Sequence, residues 1–579
     1  MVDTSKLSAD EQMLAELGYK QELSRSWSGF SNFAISFSII SILAGCFTTF
    51  YFGWDFGGPV VISLGWPVIS VFILLIGFCM SELVSAYPTS GGIYWWASKL
   101  GSVKAGYYTG WLNLVGLVAI VASVAYAAAQ FLDLTLAHFS NSWAEGWPSK
   151  ENFGPGTTGA IQRDFYIFVL ILVLATLVNI FSSHLLSIFN NISVWWHVAG
   201  AAIVVIILWF FLKDGATHWN ASDVFSYRVN NTGGLFGGAT SGAGFWFYVI
   251  PLGFLLTQYT ITGYDASAHL SEETQGAANS AAKGIWQSIF YSAIGGWILL
   301  LSFLFAVQKP EDVTAGFGYV NIIFDQALEP HVAGFVLLIA TVGQLFCTTA
   351  CLTSASRMLF AFSRDGAVPG ASRWAKLNSS KTPRNAVIAV AATGFILTIP
   401  ALFPVNVGSA DTPVYSATAF YAVVSIGVLG LYLAFAIPIF YRWRIGERFQ
   451  QGSWNLGSKW KWMAPLAIAE ILITSVYFIL PNAAGGTPGF MRGLLDGPST
   501  DDVPFDWRYV NYAPIVMAAI FIALWIGWHV SAKKWFTGPK HTIELPAGVS
   551  SADEIAAEHH HDGFLTGEHQ QHHPEDQQQ

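Results

Sequence analysis

The sequence predicts an all-α integral membrane protein with about twelve transmembrane helices. Of the 579 residues, 53% are hydrophobic and 11% are charged, whereas soluble domains carry about 25% charged residues. Apolar stretches of about 20 residues, each long enough to cross about 30 Å of hydrocarbon as a helix, recur about twelve times. We number these spans one to twelve; their centres lie near Leu43, Leu74, Val118, Ile171, Ile203, Leu252, Gly296, Leu338, Ala392, Val428, Ile471 and Ala519.

The spans divide the chain into three regions. Residues 1–29 are polar and of mixed charge, without the basic start and apolar core of a cleavable signal peptide, so span one is expected to direct the chain to the membrane. Residues 30–535 form the membrane domain. Residues 536–579 are rich in His, Gln and acidic residues, which predicts a disordered tail. Metal sensing or a purification tag is the alternative explanation of these histidines.

The charge distribution predicts a multi-pass protein of the plasma membrane with both termini in the cytoplasm. An even number of spans places both ends on one side, and about 20 of the 27 Lys and Arg flank that side, the pattern of cytoplasmic loops. The net charge of −9 comes largely from the loops and the tail. It gives no reason to expect nucleic acid as a partner.

Spans one and six interrupt their own apolar patterns. Span one has the small residues Ala44–Cys46 in mid-membrane, and span six runs into TQYTITGYDASAH, Thr257 to His269, with Gly263 inside it. Either helix alone could use small residues for close packing. However, the interruptions are five spans apart, as expected if spans one to five and six to ten are inverted repeats. Unwound backbone at this depth is tolerated only against protein or a water-filled cavity, so the stretches are expected to face away from lipid.

Three long strings carry a resemblance to a known family. They are SELVSAYPTSGGIYWWASKLG from Ser81 to Gly101, GYDASAHLSEET from Gly263 to Thr274, and SASRMLFAFSRDGAVP from Ser354 to Pro369. In order and spacing they resemble signatures of the amino acid/polyamine/organocation permeases. The sequence as a whole is most similar to the amino acid/choline branch of this family, which includes permeases for γ-aminobutyrate.

The resemblance implies a leucine-transporter-like fold, with a five-plus-five inverted repeat, two extra helices, and the substrate between the broken spans. It implies that an amino acid carboxylate meets backbone N–H groups of Ala44, Gly45 and Cys46 at a half-helix N-terminus. Family members usually carry two glycines around a small residue here, whereas this chain has only Gly45. Choline, which has no carboxylate, therefore remains an alternative substrate.

The same resemblance implies a site on span six for the other end of the substrate. The substrate ammonium is expected to meet free carbonyls of Thr260, Ile261 and Thr262, just before Gly263. Tyr259 falls where family members carry an aromatic gate that closes over the substrate; a packing tyrosine is the alternative.

Ionisable groups inside the membrane are costly and are therefore candidate functional residues. Asp265 is expected to lie at the start of the second half-helix of span six, capping it or pairing, with direct contact to a substrate amine as the alternative. Arg357 is assigned a hinge or structural role. Glu82 is read as a hinge or structural carboxylate, with a gate or proton site as its alternative. Glu470 in span eleven is expected to make a helix–helix hydrogen bond or a dimer contact.

His197 in span five is the candidate for proton coupling. It lies six residues after Asn191, where many bacterial relatives in the family carry a lysine beside span one. Histidine titrates near neutrality and can take and release a proton. The alternative is a neutral histidine bonded to a backbone carbonyl.

Together these features predict a secondary active transporter of amino acids, with γ-aminobutyrate as one expected substrate, proton coupling and alternating access. The alternatives are a choline or polyamine permease, an exchanger, or a nutrient sensor on the same fold. The isolated ionisable residues disfavour an enzyme, and no repeated filter indicates a channel. No cofactor is expected. The four cysteines lie in apolar spans and are expected to be small hydrophobes rather than metal ligands or disulfides.

Overall fold

The computed structural model confirms the all-α class and the number of spans. It describes residues 7–145, 157–316, 318–406, 415–416 and 418–540, so nearly all of the predicted tail lies outside the described residues. In this part of the chain, eleven helices are long and apolar enough to cross a membrane. Span six is the twelfth; it is not among the eleven because it is interrupted.

The observed spans enclose all of the predicted centres. Span six comprises the segments Phe245–Val249, Ile250–Gly253, Leu255–Thr260 and Ala266–His269. Spans one to five are Gly29–Thr48, Val61–Ala86, Val103–Phe139, Thr158–Phe181 and Ser183–Phe210. Spans seven to twelve are Ala277–Phe305, Pro330–Arg364, Arg384–Leu402, Ala422–Arg448, Trp460–Ile479 and Ala513–Lys534.

Short elements connect the spans. The only strands in the described residues, Val405–Asn406 and Tyr415–Ser416, pair antiparallel in the loop between spans nine and ten. The short helices include Ala9–Glu16, Phe50–Asp55, Gly92–Leu100, Asn141–Ala144, Ala221–Ser226, Pro310–Ala315, Val320–Ala327, Ala371–Trp374 and Gly489–Arg492.

Several spans begin at side-chain caps that the sequence encodes. The Ser28 hydroxyl accepts a hydrogen bond from the Ser31 N–H at 3.1 Å, and Ser102 accepts from Ala105 at 3.1 Å. Such caps satisfy N–H groups that have no partner inside the helix. They fix where spans one and three begin.

Spans one, three, eight and ten form the interior of the bundle, because most of their residues are buried by protein. Spans four, five, nine, eleven and twelve lie at the periphery and expose much of their apolar surface. This surface suits contact with lipid. The arrangement surrounds the two broken spans with protein.

The segment before span one and the residues just after span twelve meet at one end of the bundle, which we call the terminal face. The Tyr19 hydroxyl donates a hydrogen bond to Asp365 Oδ2 at 2.9 Å, and the Lys540 backbone N–H donates to Oδ1 at 3.1 Å. Asp365 directly follows span eight. One buried carboxyl group thereby joins the segment before span one to the segment after span twelve.

Candidate functional site at the two broken helices

Span one breaks at Ser41. The helix Gly29–Ile40 ends there, Ser41 adopts the left-handed conformation with φ +37°, and the helix Ile42–Thr48 follows. The Ser41 carbonyl accepts hydrogen bonds from the N–H groups of Ala44 and Gly45 at 2.8 and 2.9 Å. The predicted carboxylate cradle at residues 44–46 therefore lies in the first turns of the half-helix, just after the break, and two of its N–H groups are already bonded.

Span six breaks at the predicted position. The helix Leu255–Thr260 ends, Gly263 has φ +82°, and the next helix begins at Ala266. A φ of this sign is readily adopted only by glycine, which explains the residue type at this position. The half-helix before the break carries Tyr259 and ends at the predicted carbonyl groups.

The three predicted carbonyl groups differ in their hydrogen bonding. The Ile261 carbonyl accepts a hydrogen bond from the Tyr432 hydroxyl of span ten at 2.9 Å. Within the described part of the chain, the Thr260 and Thr262 carbonyls accept none. These two carbonyls are the free acceptors at the break.

The two breaks cross each other with a glycine at each contact. A Cβ atom on Gly45 would lie 2.5 Å from Thr260 Oγ1, and a Cβ atom on Gly263 would lie 2.0 Å from Ile39 Cγ2. Any side chain at these glycines would collide with the other span. The sequence predicted the two interruptions, and the structure brings them into direct contact.

Tyr259 lies between spans six and three. Its side chain is 5% exposed, and its hydroxyl lies 2.9 Å from the Ser123 hydroxyl of span three. The ring is thus held at the end of the half-helix that precedes the break. This position suits either predicted role, gate or packing residue.

His197 contacts the break in span one directly. Its Nδ1 lies 2.7 Å from the Ser193 carbonyl, which can only accept, so Nδ1 carries the hydrogen and donates. Its Nε2 lies 2.6 Å from Ser41 Oγ. In the neutral ring Nε2 accepts a hydrogen bond from the Ser41 hydroxyl, and both ring nitrogens are then satisfied.

Asp265 pairs rather than caps. It makes no side-chain hydrogen bond to the start of the helix Ala266–His269. Its Oδ2 lies 3.2 Å from Asn113 Nδ2 of span three and 3.2 Å from His269 Nε2. His269 was not singled out from the sequence, although its spacing four residues after Asp265 places both on one helix face.

The three family-like strings meet at the terminal face. The Arg364 guanidinium donates two hydrogen bonds of 2.9 Å to Glu272, which also accepts from the Ser90 N–H at 2.9 Å. Although burial alone would raise it, Arg364 holds the pKa of Glu272 below its ordinary value. Arg357 donates to Glu273 at 2.8 Å. These pairs close the terminal face beneath the broken spans.

Two further groups singled out from the sequence are Glu82, which lies away from the breaks, and Cys347, which contacts span one beside its break. Glu82 Oε2 accepts a hydrogen bond from Arg442 Nε at 2.8 Å, and Oε1 accepts from the Leu456 N–H at 3.2 Å. This carboxylate ties span two to span ten and to the loop that follows it. The Cys347 thiol donates to the Ile39 carbonyl at 3.1 Å, and its sulfur lies 3.8 Å from that of Cys351.

The comparisons with known proteins agree with this geometry. A family model described as amino acid permease matches residues 28–529. The amino-acid permease BAT1 of Arabidopsis thaliana is 34% identical over 555 residues, which cover 93% of this chain and 97% of the relative. The GABA-specific permease of Saccharomyces cerevisiae is 28% identical over 558 residues, covering 93% and 87%. A putative polyamine transporter of Candida albicans is 26% identical over 577 residues, covering 95% and 92%. This chain therefore belongs to the amino acid permease family.

Proposed function

We propose that this chain is a secondary active transporter that carries amino acids across the plasma membrane by alternating access, driven by protons. Both termini face the cytoplasm. The observation that carries the proposal is the crossing of the two broken spans, with Gly45 against Thr260 and Gly263 against Ile39. Broken backbone inside a membrane leaves polar groups that protein, water or a ligand must satisfy. A zwitterionic amino acid supplies groups of both signs for this purpose.

The substrate would bridge the two breaks. Its carboxylate is placed at the start of the second half of span one, near Ala44–Cys46, where a half-helix N-terminus favours negative charge. Its ammonium is placed at the Thr260 and Thr262 carbonyls, which are free acceptors. The Ile261 carbonyl joins this set only if the Tyr432 hydroxyl moves away from it. Tyr259, as the gate, would close over the bound substrate.

γ-Aminobutyrate is the first substrate to test. One relative is named for GABA and another for polyamines, and both ligands carry an ammonium group. The free carbonyls of span six would serve either ligand, whereas the carboxylate position distinguishes them. Choline and polyamines lack a carboxylate, so competition experiments separate these classes.

Alternating access requires that each end of the bundle can open. At the terminal face, Arg364–Glu272 and Arg357–Glu273 join span eight to the loop after span six. At the opposite end, the Trp54 indole donates to Thr314 Oγ1 at 3.0 Å, next to span one. Opening one end while the other stays closed would expose the breaks to one side at a time.

His197 is the proposed coupling residue. A proton on Nε2 would reverse the hydrogen bond with Ser41, because the ring would then donate to Ser41 Oγ. The serine hydroxyl proton would be free to donate to another acceptor at the break. A substrate carboxylate is such an acceptor, so protonation and substrate binding would support each other.

The decisive experiment is uptake of radiolabelled γ-aminobutyrate into proteoliposomes, with and without an inward proton gradient. Unlabelled choline, neutral amino acids and polyamines compete in parallel, and protein-free liposomes are the control. Gradient-driven accumulation supports proton symport, and the competition pattern identifies the substrate class. If uptake is independent of the proton gradient but requires substrate inside the proteoliposomes, the protein is an exchanger. No flux with any of these compounds would contradict transport and favour a nutrient sensor.

A further inference from the structure

Glu470 is a carboxyl group buried in the middle of span eleven, Trp460–Ile479, and is 7% exposed. Its Oε1 accepts a hydrogen bond from Gln258 Nε2 of span six. Its Oε2 has no hydrogen-bond partner within the described residues. The carboxyl group therefore joins the half of span six that precedes the break to a helix outside the ten-helix repeat.

No cation within the described part of the chain pairs with Glu470. The titratable groups that face it are the neutral hydroxyls of Tyr264 from span six and Tyr432 from span ten. Span two also packs against span eleven, but its acid Glu82 is already paired with Arg442 of span ten. The ionisable residues of span twelve, His529, Lys533 and Lys534, all lie in or after its last helical turn at the terminal face.

These surroundings favour a neutral carboxyl group. An ionised carboxylate in hydrocarbon is costly unless a cation or several hydrogen bonds compensate it, and among the described residues only two neutral groups, the Gln258 amide and the Thr474 hydroxyl, stabilise the charge. The Gln258 Oε1 atom is also buried without a donor. A proton on Glu470 Oε2 is the donor that this oxygen lacks, so the two side chains can close an acid–amide pair with two hydrogen bonds.

The pair lies directly behind the break in span six. Gln258 precedes Tyr259, and the Tyr432 hydroxyl lies 3.3 Å from the Gln258 carbonyl and 2.9 Å from the Ile261 carbonyl. A change in the protonation of Glu470 can therefore act on Tyr259 and on the break through the side chain of Gln258. If the proton passes to an entering water molecule, the carboxylate left behind needs solvation, which requires spans six and eleven to part.

We propose that Glu470 is a proton-binding site whose proton holds the first half of span six against span eleven. Release of this proton to water loosens the contact and allows the half-helix with Tyr259 to move. The proposal rests on the proposed transport function, but the protonation itself can be measured without transport. It is separate from the role of His197, which lies on span five and contacts the break in span one.

The first test measures protonation by infrared spectroscopy of the purified full-length protein in lipid. A protonated carboxyl group gives a carbonyl stretch that a carboxylate lacks. We expect the wild-type protein at neutral pH to show a protonated carbonyl band that is absent from the spectrum of Glu470→Gln. Gln258→Met should keep the band and shift it upward, because it removes the amide that donates to Oε1. If Glu470→Gln removes no protonated carbonyl band at neutral pH, the proposal is wrong.

The second test measures coupling in proteoliposomes with radiolabelled γ-aminobutyrate. Glu470→Gln should retain exchange across the membrane but lose the pH dependence that Glu470 contributes to uptake. Ser475→Ala is the matched control, since it removes another buried polar group from span eleven without removing an acid. A pH profile unchanged in Glu470→Gln would reduce Glu470 to a structural residue. If the wild type shows no flux, the proposed function fails, and the infrared result still decides the protonation of Glu470.

Discussion

Gly263 of span six lies against Ile39 of span one so closely that a Cβ atom on the glycine would be 2.0 Å from Ile39 Cγ2. The backbone of Gly263 also has φ +82°. Two independent constraints therefore demand glycine at this position. Together they fix how the broken spans cross.

We predict that Gly263→Ala destabilises the protein. The left-handed conformation alone costs about 1–3 kcal/mol for a residue with a side chain, and the collision with Ile39 adds to this. The measurement is the melting temperature of the purified protein in detergent. Gly237→Ala is the matched control, because Gly237 has φ +63° but nothing within 4 Å of its Cβ position. Equal shifts in both variants would show that the contact with span one contributes nothing.

A second prediction concerns the Tyr259 ring. Tyr259→Phe loses the hydrogen bond with Ser123, which is worth about 1 kcal/mol, and keeps the ring, so transport should persist with a modest change in KM. Tyr259→Ala loses the ring and should lose most of the uptake. The measurement is the initial rate of uptake at several substrate concentrations.

Ser123→Ala separates the two contributions of Tyr259. It removes the same hydrogen bond and leaves the ring intact, so it should behave like Tyr259→Phe. If Tyr259→Phe were as damaging as Tyr259→Ala, the hydroxyl rather than the closing ring would be the functional group.

A third prediction tests proton coupling through His197. His197→Lys should fold and bind substrate but flatten the pH dependence of uptake, because an ammonium group donates to Ser41 Oγ permanently and cannot accept from it. The pH profile of uptake in proteoliposomes is the measurement. His197→Gln is the neutral control, which should retain exchange and lose acceleration by the gradient. A pH profile that survives His197→Lys would show that the histidine is structural.

The spans and their breaks could be predicted from the sequence because they depend on local composition. Long apolar stretches determine the helices, and Gly263 marks the break in span six by its own conformational freedom. The break in span one was expected at Ala44–Cys46, whereas the left-handed residue is Ser41. Ser41 is bonded to His197 of span five, and this contact is invisible to a pattern along one helix.

The partners of buried polar groups were equally hard to predict. Glu470 was expected to form a helix–helix hydrogen bond or a dimer contact. Its observed partner, Gln258, is 212 residues away in the sequence, so no local pattern connects the two. His269 lies within the second family-like string but was given no role there, and its other contact is the Ser90 carbonyl after span two. Such pairings depend on how the spans pack in three dimensions. Sequence patterns can identify the group but not the residue that satisfies it.

The last prediction concerns pH and the contact between the two termini. Burial raises the pKa of Asp365 to about 8, even though the Lys540 N–H and the Tyr19 hydroxyl favour its ionised form. An unfolded aspartate titrates near pH 4, so the folded state binds the additional proton between about pH 4 and pH 8. The contribution of Asp365 to stability is therefore greatest at low pH and falls as the pH rises through this window.

The expected result is that the N-terminal segment separates from the terminal face more readily as the pH rises from 6 to 8.5. Hydrogen exchange of residues 9–25, followed by mass spectrometry, measures this separation after correction for the intrinsic pH dependence of exchange. Asp365→Asn cannot ionise, keeps the acceptor for Tyr19, and should remove the effect. Tyr19→Phe is the second variant, because it removes one donor to the carboxyl group and should weaken the contact at every pH. If the separation of the N-terminal segment depends on pH in Asp365→Asn as strongly as in the wild type, another group causes the effect. The titration of Asp365 would then play no part in holding this segment at the terminal face.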